Sequence, residues 1–403
     1  MQWTNAAFMR GGTSKGLFFA EQDLPPRGPD RDALYLRALG SPDRFGRQID
    51  GMGGGISSLS KVVSVTASDR AGAELDYTVG QVAVDAPVVD YSGNCGNLSA
   101  AVVPFALESG LLVLPDGPQT VRIFNTNTEK HIEVQLRVEN GTASASGPLV
   151  LPGVSGTGSP IELRYLRPAG SRTGALLPTG AAADVLRLED GEHHASLIDA
   201  ANPMVFVRAE DLGLRGDELP AELDADSALM GRLDRLRRAG AVAMGMAAED
   251  AAAPRAVPKI ALVAGPRTCR LLDGTTVAAE DADLTLRVLS MEQTHLATPG
   301  TAALCTAAAA QIPGSTVAEA ARPSAAGGAL RIATPSGVVT AGADVRTAPD
   351  GRLTAESASL YRTARTLMRG QVAVPAGQPR GSRRGPQDST RSARVRDGAG
   401  RRR

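Results

Sequence analysis

The stretch Ser92-Gly93-Asn94-Cys95-Gly96-Asn97-Leu98-Ser99-Ala100-Ala101-Val102-Val103-Pro104-Phe105-Ala106-Leu107-Glu108-Ser109-Gly110 is a polar, glycine-bearing loop that runs directly into an apolar segment and stops at another glycine. Residues 97–109 are almost wholly apolar and too many for an ordinary strand, so they predict a buried helix closed by Gly110. A second stretch repeats the arrangement: Thr298-Pro299-Gly300-Thr301 opens the apolar run TAALCTAAAAQ, residues 301–311. Short segments of strand character, separated by glycine-rich turns, surround each run. GLFFA, SKVVSVTAS, DYTVGQVAV, TVRIFNT and HIEVQLRV flank the first; IELRYLRP, SLIDAANPMVFVRA, PKIALVAGP and DLTLRVLSM flank the second. The pattern predicts an α+β chain of two similar halves, each a β-structure wrapped around one apolar helix. Mixed charged and apolar residues near 223–248 predict a more exposed helix on the second half.

A chain of 403 residues suits two domains, each able to bury a core. With 42% hydrophobic residues, 3% aromatics and 45 glycines, that core is built from small and branched side chains. No run approaches the roughly 20 apolar residues that span a bilayer. The start MQWTNAAFMRGG has no basic region leading into an apolar one. Cys95, Cys269 and Cys305 are odd in number and far apart, and His131, His193, His194 and His295 show no ligand spacing. The expectation is a cytoplasmic protein with reduced thiols, no metal, no cofactor and no membrane contact. From Ala376 the chain holds nine Arg and two Asp, a net +7 against −7 for the remainder. That Arg-rich tail, residues 376–403, has too little apolar surface to repay its ordering and reads as disordered. No nucleic-acid role is assigned to it.

Of the 43 basic residues only Lys15, Lys61, Lys130 and Lys259 are lysines, the type that can lose its proton and act as a base. Lys61 stands where the loop GMGGGISSLS, ending at Ser60, meets the strand KVVSV, a suitable place for a general base. Neither this loop nor MRGGTSKG matches the G-x-x-x-x-G-K-[ST] phosphate loop. Both instead offer hydroxyls, backbone N–H groups and the cations Arg10 and Lys15 to an acidic small molecule. The two glycine-bearing helix starts would each favour an anion. Cys95 at the first of them is a candidate catalytic or substrate-facing thiol.

The segments MRGGTSKGLFF, RQIDGMGGGISSLSKVV, DYTVGQVAVDAPVVDYSGNCGNLSAAV, PTG, PKIALV, GTAAL and TPSG resemble, in order, the motifs of the 2-methylaconitate cis–trans isomerases, the PrpF family. The resemblance runs from Met9 to Pro375 and excludes the tail. It implies a diaminopimelate epimerase-like fold of two pseudo-repeated domains with the active site in the cleft between them. The first would span 1–158 with a returning segment near 360–375, and the second 159–359. It also implies catalytic roles for Lys61, as the base, and Cys95. Arg10, Gly11, Thr13, Ser14, Lys15, Ser60, Asn94, Gly96 and Asn97 would bind substrate from the first domain, and Gly300 and Thr301 from the second.

One departure bears on the reaction. Diaminopimelate-type epimerases open their second helix with a thiol, and here Pro299 stands in that place, with no proton to give or take. A one-base, same-face proton shuttle therefore fits better than two-thiol epimerisation. The implied function is cis–trans isomerisation of a tricarboxylate, without cofactor, in propionate breakdown by the methylcitrate cycle. An aconitase-like 2-methylcitrate dehydratase would be the functional partner; a homo-oligomer is left open. Tautomerisation of 4-oxalomesaconate and isomerisation of methylitaconate are the alternatives within the family. A non-catalytic polycarboxylate-binding protein is the alternative outside it.

Overall fold

The computed structural model describes residues 1–91, 95–254, 257–290, 293–322 and 329–375. Numbering only strands of five residues or more, the chain opens with β1 (Gln2–Gly11), β2 (Ser14–Ala20) and α1 (Pro29–Leu39). Next come β3 (Lys61–Ala67), β4 (Leu75–Val82), α2 (Gly96–Ser99), α3 (Val102–Ser109), β5 (Gly117–Asn125) and β6 (Lys130–Glu139). After β7 (Ile161–Leu166) follow β8 (Asp184–Leu188), β9 (Gly191–Asp199), β10 (Pro203–Arg208), α4 (Pro220–Asp224) and α5 (Ser227–Ala243). The remainder is β11 (Lys259–Ala264), β12 (Leu284–Ser290), α6 (Gly300–Ala309), α7 (Thr316–Ala320), β13 (Leu330–Thr334), β14 (Gly337–Thr347), β15 (Leu353–Arg362) and β16 (Ala364–Val374).

The two halves share one topology. In the first, the antiparallel pairs β1–β2, β3–β4 and β5–β6 are joined side by side through parallel pairings of β2 with β3 and β4 with β5. In the second, β9–β10, β11–β12 and β13–β14 are joined through parallel pairings of β10 with β11 and β12 with β13. Parallel neighbours need a crossover, and helices supply it at matching places. Thus α1 corresponds to α5, and α2 with α3 corresponds to α6. Strand β7 pairs with β6 on one edge and with β15 on the other, while β16 returns to pair along β1. The strands therefore form one continuous ribbon from β16 through β1–β7 to β15 and back down to β8.

Each half closes around its apolar helix, as the α+β expectation requires. Leu98, Val102, Val103 and Ala106 of the first half are buried with Met9, Phe18, Val63, Tyr77 and Val134. In α6, Ala302 to Ala309 are all buried, packed against Ile198, Met204, Phe206, Leu286 and Leu360. On the far side of each sheet a surface helix covers a second core, with Leu34, Tyr35, Ala38 and Leu39 from α1 and Leu229, Leu233 and Leu236 from α5. Among the described residues no helix is long and apolar enough to cross a membrane.

The predicted helix over 97–109 is in fact two. Pro104 has no N–H for the Ala100 carbonyl and its ring crowds that group, so α2 stops at Ser99 and Ala101 sits at φ −95°, ψ −3° before α3 starts. The segment near 223–248 also divides, at Asp226, whose carboxylate accepts from the Leu229 N–H and caps α5.

Candidate active site

The tip of the β1–β2 hairpin rests on the start of α2. Strand alternation turns Met9 and Gly11 toward that helix. A Cβ on Gly11 would stand 2.6 Å from the Asn97 carbonyl oxygen and 3.0 Å from Leu98 Cα, so only glycine permits this approach. Gly12, at φ +52°, completes the turn, and a Cβ there would strike the Asn97 side chain. Asn97 Nδ2 donates to Thr13 Oγ1 at 3.0 Å. Ser14, opposite Gly11 in register, is buried and brings its Oγ to 3.8 Å from Cys95 Sγ. Cys95 is the residue before α2; its carbonyl accepts from the Ser99 N–H, and its thiol is partly exposed.

Lys61 begins β3 beside β2. It shares the face of Val63 and Val65, which pack in the core around α2 and α3, so its side chain leaves the sheet on the same side as Ser14 and Cys95. A Cβ on Gly16 would touch both the Lys61 carbonyl, at 2.6 Å, and Leu98 Cδ1, at 3.3 Å, which ties Lys61 to the α2 neighbourhood. Its ammonium donates to Gln81 Oε1, directly across on β4. Gln81 is oriented by its other end: Nε2 donates to the carbonyls of Ser60 at 2.9 Å and Ser57 at 3.1 Å. Ser60 faces the other way, where Gln48 Nε2 donates to its hydroxyl at 2.7 Å while Gln48 Oε1 receives the Gly55 N–H. The glycine-rich loop is thus pinned by two glutamines on either side of the residue preceding Lys61.

The second half contributes the start of α6, where Gly300 and Thr301 are partly exposed. Between this start and α2 lies Arg362, the last residue of β15. Its Nε donates to Asn97 Oδ1 at 3.0 Å, and its Nη2 is 3.3 Å from the position a Cβ on Gly300 would take. Tyr165 approaches from β7, its hydroxyl 2.8 Å from where a Gly96 Cβ would lie; burial pushes its phenol up to about 12. Both helix starts and both halves therefore meet around one guanidinium.

The structure brings together Ser14, Cys95, Gly96, Asn97, Gly11 and Thr13, with Lys61 on the same face of the sheet and Gly300 and Thr301 across the seam. Arg10 and Lys15 lie opposite one another in register and leave the sheet on the face away from α2. Arg10 Nη1 instead donates to the carbonyls of Gly12 and Thr363, both at 2.9 Å, and ties the hairpin tip to the β15–β16 junction. Burial and the neighbouring Arg365 lower its guanidinium pKa. Asn94 falls outside the described residues.

Three residues of this region are not singled out by sequence reasoning: Gln81, Tyr165 and Arg362. Arg362 meets Asn97 across 265 positions, a pairing no local pattern signals. Among the described residues no three His, Cys, Asp or Glu side chains stand as a metal-ligand group. A cavity of about 470 Å³ between β1, β16 and the end of α3 carries Asp23 and Glu108 against Arg369, a poor match to a polyanion.

The geometry coincides with clear relationships to known proteins. The family model described as PrpF protein matches residues 1–375. The 2-methyl-aconitate isomerase of Shewanella oneidensis is 42% identical over 387 residues, covering 92% of this chain and 96% of that one. The (4E)-oxalomesaconate Delta-isomerase of a Novosphingobium species is 38% identical over 368 residues, covering 91% and 96%. The crystal structure of a methylitaconate-delta-isomerase superposes with a TM-score of 0.86 at 37% identity, covering 95% of this chain and 99% of that one.

Proposed function

The chain belongs to the PrpF protein family, and from that membership and the geometry of the seam we propose that it is an isomerase of unsaturated polycarboxylates, with 2-methylaconitate as substrate. The observation that carries the reading is the grouping of a lysine, a thiol and a hydroxyl on one face of the β1–β3 sheet, against a helix start and a buried cation. A relative named for 2-methylaconitate at 42% identity over 92% of the chain supports the choice of substrate.

Cis–trans change at a carbon–carbon double bond requires that bond to lose its double character. Removing a proton from the adjacent CH₂ sends the electron pair through the double bond into a carboxylate, giving a dienolate whose former double bond turns. Returning the proton to the same carbon yields the geometric isomer. In this account Lys61 takes and returns the proton, and Gln81 aims its amino group. Cys95 and Ser14 face the substrate, and the N–H groups at Gly300 and Thr301 with their helix dipole hold a carboxylate as charge moves onto it. The enzyme would work in the cytoplasm, in propionate breakdown, on the product of an aconitase-like dehydratase.

Incubation with 2-methylaconitate in D₂O, followed by NMR, tests the proposal. Conversion between geometric isomers with deuterium appearing at the allylic carbon is expected. Absence of both conversion and exchange would refute it. Conversion confined to oxalomesaconate or methylitaconate would move the substrate within the family.

A further inference from the structure

Four arginines of the described residues are buried; two of them pair with a carboxylate and a third has all three of its nitrogens on carbonyls. Arg31 donates to Glu21 at 2.7 Å and to the Pro25 carbonyl; Arg237 pairs with Asp234 at 2.8 Å and donates to the Pro254 carbonyl. Arg287 places Nε, Nη1 and Nη2 on the carbonyls of Glu218, Leu286 and Asp217. Arg362, 6% exposed, differs. Its Nε goes to Asn97 and its Nη1 to the Tyr361 carbonyl at 2.9 Å, while among the described residues Nη2 makes no hydrogen bond and no carboxylate pairs with it. Burying an unpaired charge costs several kcal/mol, and proteins seldom keep one without use. Burial lowers the guanidinium pKa, with the nearby Tyr165 and Cys95 acting against the shift.

The unpartnered Nη2 points to a second feature that wants an anion. It lies beside Gly300 at the start of the ten-residue helix α6, whose first N–H groups and dipole favour negative charge. On the loop into that helix, Thr298 Oγ1 is buried and has no partner among the described residues. We propose that Arg362 is the carboxylate anchor of the site, holding one carboxylate of an anionic polycarboxylate between Nη2 and the start of α6. Because Nε holds Asn97 of the opposite half, the bound carboxylate fixes the two helix starts relative to each other. Arg362 thereby sets the substrate's position over Lys61 and Cys95. The inference rests on the polycarboxylate reading of the site, but its test does not depend on turnover.

The probe is tricarballylate, a saturated tricarboxylate with no double bond to isomerise, titrated calorimetrically into the full chain and into Arg362→Met and Arg362→Lys. Loss of a charge-assisted, partly bidentate contact should weaken binding about 100-fold in Arg362→Met and about tenfold in Arg362→Lys. Tricarballylate should raise the melting temperature of wild type and no longer raise that of Arg362→Met, whatever the free variant loses with its bonds to Asn97 and the Tyr361 carbonyl. A merely structural arginine would leave the ligand-induced rise undiminished. That pattern, or wild-type affinity in Arg362→Met, overturns the proposal. Should Arg362→Met fail to fold, the Lys variant decides it, wild-type affinity again counting against the anchor. Binding by wild type without deuterium exchange into 2-methylaconitate would sink the isomerase reading while leaving this one standing.

Discussion

The two halves repeat one topology but carry different chemistry at matching places. Lys61 and Lys259 are each the first residue of the strand after a surface helix, and Cys95 and Pro299 each precede an apolar helix. In the first half the thiol meets Ser14 and the lysine meets Gln81. In the second, Pro299 has no proton to exchange, and burial lowers the Lys259 pKa, with His295 beside it lowered to about 4 by burial and the lysine charge. The apolar helices differ too. Pro104 breaks the first after one turn, whereas α6 runs ten residues and has a fuller dipole behind its start. On the proposed mechanism the duplicated fold divides the work, one half moving a proton and the other holding charge.

Breaking the close approach in the first half should have the largest effect on structure. Gly11→Ala places a methyl group against the α2 backbone, and loss of about 3 kcal/mol of stability is expected from overpacking, measurable by urea unfolding. Swapping the two helix-start residues sharpens the comparison further. Cys95→Ala should lower kcat by about tenfold to 100-fold if the thiol faces the reacting carbon, whereas Pro299→Ala should change it by less than about threefold. Equal losses would erase the proposed division of labour.

The smallest effect concerns pH. His295 has a folded pKa below its ordinary value of 6.5, so between pH 6.5 and about 4 the unfolded chain binds a proton that the folded chain does not. The corresponding stability is fully present above pH 6.5 and is lost as pH falls toward 4. Melting temperatures should fall by a few degrees across that window, and His295→Gln should flatten the fall; an unchanged slope would show that other groups control it.

Much of this architecture is legible in the sequence because burial is written locally. The apolar runs around Val102 and Leu304, and the glycines that open and close them, mark both central helices. The loop–strand junction likewise marks Lys61. What escapes is either low in contrast or long in range. Helix α1 carries Pro29 in its first turn, Asp30 and Asp32 beside it and Gly40 in the left-handed cap, all readable signals, yet it buries little more than Leu34, Tyr35, Ala38 and Leu39 among charged neighbours. The break at Ala100 follows from Pro104, but the continuous apolar run hides it. Strand alternation accounts for the placement of Arg10 and Lys15: the sequence clusters them with Gly11 and Ser14, and the period of two separates them. Arg362 cannot be read at all, since its role depends on Asn97 and Gly300, which are remote in sequence.

The central claim is that Lys61 carries the proton. It is tested most directly by following deuterium uptake from D₂O into 2-methylaconitate by NMR with Lys61→Ala, alongside calorimetric binding of tricarballylate to the same variant. The account predicts that exchange and isomerisation fall together by about 10³-fold or more while tricarballylate still binds. Exchange retained near the wild-type rate would contradict it.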